Sequence, residues 1–242
     1  MASPPAWVTD RPVAHRGLHD GGNRPENSLA AFEAAVAEDY TIELDVRLSH
    51  DGRVMVFHDA LLDRLTPERG NMAERDEAEL TSLPLMGTNE TIPLFVDVLE
   101  KVGGRVPLLV EIKNENPTAG LLEQAVCDWL GDYDGEAAVQ SFNPASIHAV
   151  AEVSPELIRG FLFSPHSHAL PWAVAVDALS HLRRAPRIDF GGCDVRGLPY
   201  DPVPELQGKL PLLGWTVRSA ETESDARSWV RNVIFEGYRA SR

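Results

Sequence analysis

The chain has 242 residues, 43% of them hydrophobic, a formal net charge of −15 and two cysteines, Cys127 and Cys193. That size and apolar content fit one domain with a full core. The acidity argues against nucleic acid and against stable docking on anionic membranes, since both need a basic footprint.

Two cysteines in separate elements make no disulfide framework, and no apolar run approaches the roughly 20 residues of a membrane span. The N-terminus lacks an apolar core of signal-peptide length, so a cytoplasmic protein is expected. Short β-rich runs alternate with helical stretches. The first expected strand is Pro12–His15. A helix follows, with Leu29, Phe32 and Val36 on its apolar face and Asn27 or Ser28 as N-cap. Thr41–Leu48 is the second strand. Asp51-Gly52 then predicts a two-residue hairpin that returns along Arg53–His58, with His50 opposite Arg53, Leu48 opposite Met55, and Asp45 opposite His58.

Residues Leu61–Thr91 delay the next helix. They are polar, carry Pro67, Gly70, Pro84 and Gly87, and predict a short helix over Glu77–Leu80. A loop this long in a compact domain is usually functional. Helical patterns over Ile92–Val102 and Leu121–Leu130 flank a strand at Val106–Lys113. Further strands are expected at Ala137–Phe142, Leu157–Phe163, Arg187–Cys193, Leu210–Val217 and Asn232–Phe235. Several are continuous apolar runs bounded by Gly or Pro, as expected of strands covered on both faces. Eight strands separated by helices predict a single α/β domain over 1–242, a (β/α)8 TIM barrel. Residues 61–91 would be an insertion after the second strand, and the C-terminus has no room for a full eighth helix.

The chemistry concentrates at strand ends. Glu43 and Asp45 are two apart, so on a strand both side chains share a face. At the C-terminal end of a barrel strand that face lines the mouth. With Glu111 they form an all-oxygen set suited to one divalent cation, Mg²⁺ or Ca²⁺, and not to zinc. His15 and His58, both beside these carboxylates, can act as general acid and base. Arg16 and Lys113 supply cations for phosphate oxygens. Phe142 and Trp215, at two further strand ends, are either core or ligand contacts. His166 and His168 sit in a Pro-containing loop without a third ligand nearby and read as loop surface.

Through His15-Arg16-Gly17, Pro25-Glu26-Asn27-Ser28, Glu43-Leu44-Asp45, His58-Asp59 and Glu111-Ile112-Lys113, the chain resembles the glycerophosphodiester phosphodiesterase family. The resemblance covers almost the whole chain and is strongest in residues 13–66 and 92–113. It implies a TIM barrel that hydrolyses small-molecule glycerophosphodiesters to sn-glycerol 3-phosphate and an alcohol, using a divalent cation. Glu43, Asp45 and Glu111 would then be metal ligands, and His15 and His58 the acid–base pair. Arg16 and Lys113 would bind phosphate, and Trp215 and Phe142 would wall the pocket. The implied mechanism passes through a cyclic phosphate formed by the glycerol 2-hydroxyl.

The C-terminal stretch Arg231-Asn232-Val233-Ile234-Phe235-Glu236-Gly237-Tyr238 departs from the family's usual Gly-Val-Asp-Gly-Ile-Ile-Thr-Asp pattern. A lysophospholipase D-like or phosphatidylinositol phospholipase C-like enzyme is the nearest alternative, for which Leu80, Leu83, Leu85 and Met86 of the insertion would offer apolar contact. A non-catalytic barrel binding a phosphorylated ligand is a third. The sequence leaves the alcohol, the metal and the oligomeric state open.

Overall fold

The computed structural model describes residues 4–115, 119–167, 169–184 and 188–241. Its elements run α1 (Ala6–Asp10), β1 (Val13–Ala14), α2 (Leu29–Ala37), β2 (Thr41–Leu48), β3 (Val54–Val56), α3 (Glu77–Leu80), α4 (Phe95–Val102), β4 (Leu108–Ile112) and α5 (Leu121–Gly131). They continue with β5 (Ala137–Ser141), α6 (Pro144–Val153), β6 (Ile158–Phe163), α7 (Trp172–Leu182), β7 (Phe190–Asp194), α8 (Val203–Leu206), β8 (Leu212–Val217), α9 (Ala220–Ala226) and β9 (Asn232–Phe235). All strands except β3 pair in parallel, and β1 joins both β2 and β9, so eight strands close a barrel with helices between them. No helix follows β9 among the described residues. The expected strand start at Arg187 lies outside the described residues.

Period-two alternation sorts the strand residues. Ile42, Leu44 and Val46 of β2 face outward and pack with Phe32, Phe95 and Val98 of the surrounding helices. Inside, Val13, Leu109, Ala138, Phe190, Leu213 and Ile234 meet Trp7 and Val8 of α1. This apolar layer fills the N-terminal half of the barrel. It is tight, because a Cβ on Gly160 would stand 2.1 Å from the Phe190 ring. Two residues further along the same inward faces stand Glu111, Gln140 and Trp215, and the β2–β4 register sets Glu43 beside Leu109 and Asp45 beside Glu111. The polar interior therefore begins where the apolar plug stops.

The hairpin differs from the expectation. Leu48 pairs with Val54, Arg47 with Met55 and Val46 with Val56. The Ser49 amide donates to the Arg53 carbonyl at 2.9 Å, the Gly52 amide to Ser49 at 3.1 Å, and Gly52 takes φ +79°. This is a three-residue loop closed by a left-handed glycine, which uses the same Asp-Gly signal as a two-residue turn. The ladder slips by one, so Asp45 accepts from the Phe57 amide and does not face His58. Asp51 also accepts from the Glu77 amide at 3.0 Å, so the start of α3 pins the loop.

The segment after β3 is a small structure of its own. Met55, Phe57, Leu62, Leu65, Met72, Leu80, Leu85 and Ile92 form a separate buried cluster. Leu80 and Leu85 are therefore packed inward and are not available as lipid contacts; Met86 is the exposed exception. No helix among the described residues is long and apolar enough to cross a membrane.

Candidate active site

Glu43, Asp45 and Glu111 each offer one oxygen, and these oxygens lie within 4.8 Å of one another. All three side chains are buried. Burial and the neighbouring charges of Asp45 and Glu111 hold the Glu43 carboxyl well above its ordinary range. Its Oε2 accepts from the Arg16 amide at 2.8 Å, while its buried Oε1 has no hydrogen-bond partner. An unpartnered carboxylate oxygen among hard oxygen donors fits a divalent cation.

Two side-chain cations reach the cluster. Lys113 Nζ lies 2.6 Å from Glu111 and 3.2 Å from Asp45. Burial opposes its charge, but Asp45 and Glu111 outweigh that and raise its pKa. Arg16 Nε lies 3.4 Å from Asp45, and its other end binds Glu26 at 2.6 Å. Burial alone would protonate Asp45; Lys113, His58, Arg16 and His15 together hold it far below the carboxylate range.

The loop after β1 is shaped to place Arg16. Arg16 and Gly17 take φ +54° and +77°. A Cβ on Gly17 would stand 2.9 Å from the Ala31 backbone, so glycine alone lets the loop lie against α2. Ser28 is the cap of α2, accepting from the Ala31 amide. Asn27, the other cap candidate, instead donates to Asp45 Oδ2 at 2.9 Å while fully buried at φ +56°.

Each histidine leans on a carboxylate that sequence reasoning gave no role. His15 Nδ1 lies 2.5 Å from Glu236 Oε2, and His58 Nδ1 lies 2.5 Å from Asp59 Oδ1. A ring whose Nδ1–H donates to a carboxylate keeps Nε2 as its reactive nitrogen. Burial and the adjacent Arg16 push His15 down to about 4, against the pull of Glu236. Burial opposes ionisation of Glu236, but the hydrogen bond from His15 and the neighbouring His19 and Arg218 hold it ionised. His19 stands 3.6 Å from Glu236, a third ring at this edge of the mouth. The only sequence trace of Glu236 is its place at the end of the last strand, in the stretch that departs from the family pattern.

A cavity of about 450 Å³ is lined by His58, Glu111, Lys113, Phe142, Arg47 and Leu170, among others. Arg47 closes one side, donating to the His58 carbonyl at 2.8 Å and to Glu115 at 2.9 Å. Phe142 meets Trp215 edge to face at 5.5 Å, and the buried Trp215 Nε1 has no partner. A wider recess of about 1010 Å³ lies among Ala6, Asp10, Lys209 and Arg231, around α1 and away from these groups. His166 Nε2 approaches the Arg196 carbonyl at 3.3 Å and does not join the group Glu43, Asp45 and Glu111; His168 lies outside the described residues.

The model of the Glycerophosphoryl diester phosphodiesterase family matches residues 15–237. A glycerophosphodiester phosphodiesterase of Caldanaerobacter subterraneus is 32% identical over 238 residues, 92% of this chain and 92% of that protein. A phosphodiesterase of Oleispira antarctica, solved with its product sn-glycerol-3-phosphate, has the same fold with TM-score 0.77 at 24% identity, covering 94% of this chain and 93% of that one. A glycerophosphodiester phosphodiesterase of Thermotoga maritima gives TM-score 0.71 at 21% identity, covering 92% and 93%.

Proposed function

This chain belongs to the glycerophosphoryl diester phosphodiesterase family and is a phosphoric diester hydrolase, and we propose that it cleaves glycerophosphodiesters by paired histidine acid–base catalysis through a cyclic phosphate. One observation carries the reading: two imidazoles, each with Nδ1 tied to its own carboxylate, stand at a mouth that also holds three buried acids and two cations.

In the first step His15 is the base. Its pKa of about 4 leaves Nε2 unprotonated at neutral pH. Nε2 takes the proton of the glycerol 2-hydroxyl, the 2-oxygen bonds to phosphorus, and the bond from phosphorus to the alcohol breaks. His58 gives the leaving oxygen its proton from Nε2, with Asp59 offsetting the charge it carries beforehand. In the second step water loses a proton to the now neutral His58 and bonds to phosphorus. The ring bond to the 2-oxygen breaks and His15 returns its proton there. The sum is diester plus water giving glycerol 3-phosphate plus alcohol, with both histidines restored.

Glu43, Asp45 and Glu111 would hold the Mg²⁺ or Ca²⁺, which when bound orients the hydroxyl, lowers its pKa and offsets phosphate charge. Arg16 and Lys113 bind phosphate oxygens in this scheme, and Phe142 and Trp215 wall the glycerol moiety. The unpaired, buried thiols of Cys127 and Cys193 fit the cytoplasmic location that belongs to this proposal.

Release of glycerol 3-phosphate should be measured with glycerophosphocholine, glycerophosphoethanolamine, glycerophosphoglycerol, glycerophosphoinositol and a lysolipid, each with Mg²⁺ or Ca²⁺. At least one water-soluble diester should turn over, and its analogue lacking the 2-hydroxyl should be inert. Turnover of that analogue would refute the cyclic route; inertness of every diester would refute the reading.

A further inference from the structure

We propose that Arg64 is a positioning residue that locks the acid–base arm at His58 to the phosphate-binding arm at Arg16. The inference rests on the roles just assigned to those two residues. Arg64 belongs to the segment after β3, in the 3-10 turn Leu62–Arg64. Leu62 and Leu65 on either side of it are buried in that segment's own core. The apolar cluster therefore fixes the backbone from which the guanidinium reaches out.

The reach ends on two carboxylates at once. Nε and NH2 bind the two oxygens of Asp59 at 2.6 and 3.0 Å. NH1 and NH2 bind the two oxygens of Glu26 at 2.8 and 2.8 Å. Each carboxylate passes the constraint on: Asp59 to His58 Nδ1 at 2.5 Å, and Glu26 to Arg16 NH1 at 2.6 Å. A continuous chain thus runs His58, Asp59, Arg64, Glu26, Arg16, Asp45. Only a planar fork can hold two carboxylates bidentately; a lysine ammonium is a point charge and cannot.

Arg64 is half exposed, with 46% of its side chain accessible. An ion pair this open adds little to stability. The clamp therefore acts on geometry, which gives it a signature distinct from a structural role. Small misplacements of reacting groups cost rate steeply.

The test is steady-state kinetics of glycerol 3-phosphate release by Arg64→Ala and Arg64→Lys, with melting temperatures as controls. Arg64→Ala should lower kcat roughly ten- to hundredfold and raise KM, with little change in melting. Arg64→Lys should fall between it and wild type, and millimolar guanidinium should restore part of the lost rate of Arg64→Ala. Combining Arg64→Ala with Asp59→Asn should lower kcat by less than the product of the two single effects, because both loosen the same His58 arm. In proton NMR the His58 Nδ1–H signal, assigned by its loss in His58→Ala, should be protected from exchange in wild type and lost in Arg64→Ala. A wild-type kcat in the Arg64 variants, or effects of Arg64→Ala and Asp59→Asn that multiply, would overturn the clamp. Should Arg64→Ala not fold, Arg64→Lys retains charge and stem and carries the same kinetic and NMR tests. A wild-type protein that hydrolyses no diester would instead refute the hydrolytic reading, and the NMR signal would still decide the clamp.

Discussion

Replacing Glu236 by Gln removes one charge and almost no volume. In the native chain Glu236 accepts from His15 Nδ1 at 2.5 Å and from Arg218 Nε at 2.7 Å. The neutral amide can accept one of these bonds, but it cannot offset the imidazolium that His15 becomes as it takes the hydroxyl proton. A hydrogen bond to a charged group is worth about 1.5–3 kcal/mol. If that worth is realised mainly in the transition state, kcat should fall roughly ten- to hundredfold. The pH profile should move as well. Glu236 pulls the His15 pKa up against the stronger effects of burial and Arg16, and the balance of these lies at about 4. Without that pull the His15 pKa falls, so the acid limb of kcat/KM shifts to lower pH even as the rate drops. Initial rates of glycerol 3-phosphate release from pH 3 to 9, with a thermal melt as control, would show both effects. A folded variant with wild-type kcat and an unmoved acid limb would refute the dyad.

Gly17→Ala should destabilise the chain by about 1–3 kcal/mol in denaturant titrations, because φ is +77° and the new Cβ would stand 2.9 Å from Ala31; unchanged stability would show that the loop relaxes freely. His15 binds its proton at about 4 when folded and at 6.5 when unfolded, so the unfolded state protonates first as pH falls. Its contribution is whole above pH 6.5 and is lost on the way down through pH 4, on the order of 3 kcal/mol. His15→Gln should flatten that slope, and parallel slopes would exclude His15 as its source. Chelation should abolish turnover and Mg²⁺ or Ca²⁺ should restore it. The same ion should raise the melting temperature of wild type but not of Glu43→Gln, and calorimetry should detect glycerol 3-phosphate binding only with the ion present. Full activity after exhaustive chelation, or an equal ion-induced shift in Glu43→Gln, would remove Glu43 from the metal site.

The barrel was legible because its strands are short apolar runs between breakers, and the register of β2 on β4 then brings Asp45 beside Glu111. What the sequence hid is what depends on distance along the chain. His15 and Glu236 are 221 residues apart, and no local spacing links them. Glu26 and Arg64 are 38 apart, joined across the mouth by a turn whose place is set by buried leucines. Asp59 was in plain view beside His58, yet adjacent residues on a strand point to opposite faces. They meet because β3 ends at Val56, where alternation ceases to apply. The hairpin register failed for a related reason. An Asp-Gly pair serves both a two-residue turn and a three-residue loop with a glycine in the left-handed region, and the choice here goes with contacts from α3 that the dipeptide does not encode.

The acidity of the chain also reads differently once the site is built. With a net charge of −15, an anionic diester must meet a locally positive mouth, and Arg16 and Lys113 are the cations the sequence offers there. In the structure both are already engaged by Asp45, with Glu26 and Glu111 as their further partners. Against Glu43, Asp45 and Glu111 the two cations leave a deficit of one charge. Without an ion, the balance favours a proton on Glu43, whose carboxyl is held well above its ordinary range. A divalent ion does more than that proton: it turns a deficit of one into an excess of one while Glu43 is ionised. Binding of the ion should therefore release a proton. The same ion would create the field that draws in the phosphodiester. In the proposed scheme the carboxylates would not oppose substrate binding; they would hold the charge that makes it possible, and the two basic side chains would set where the phosphate oxygens lie.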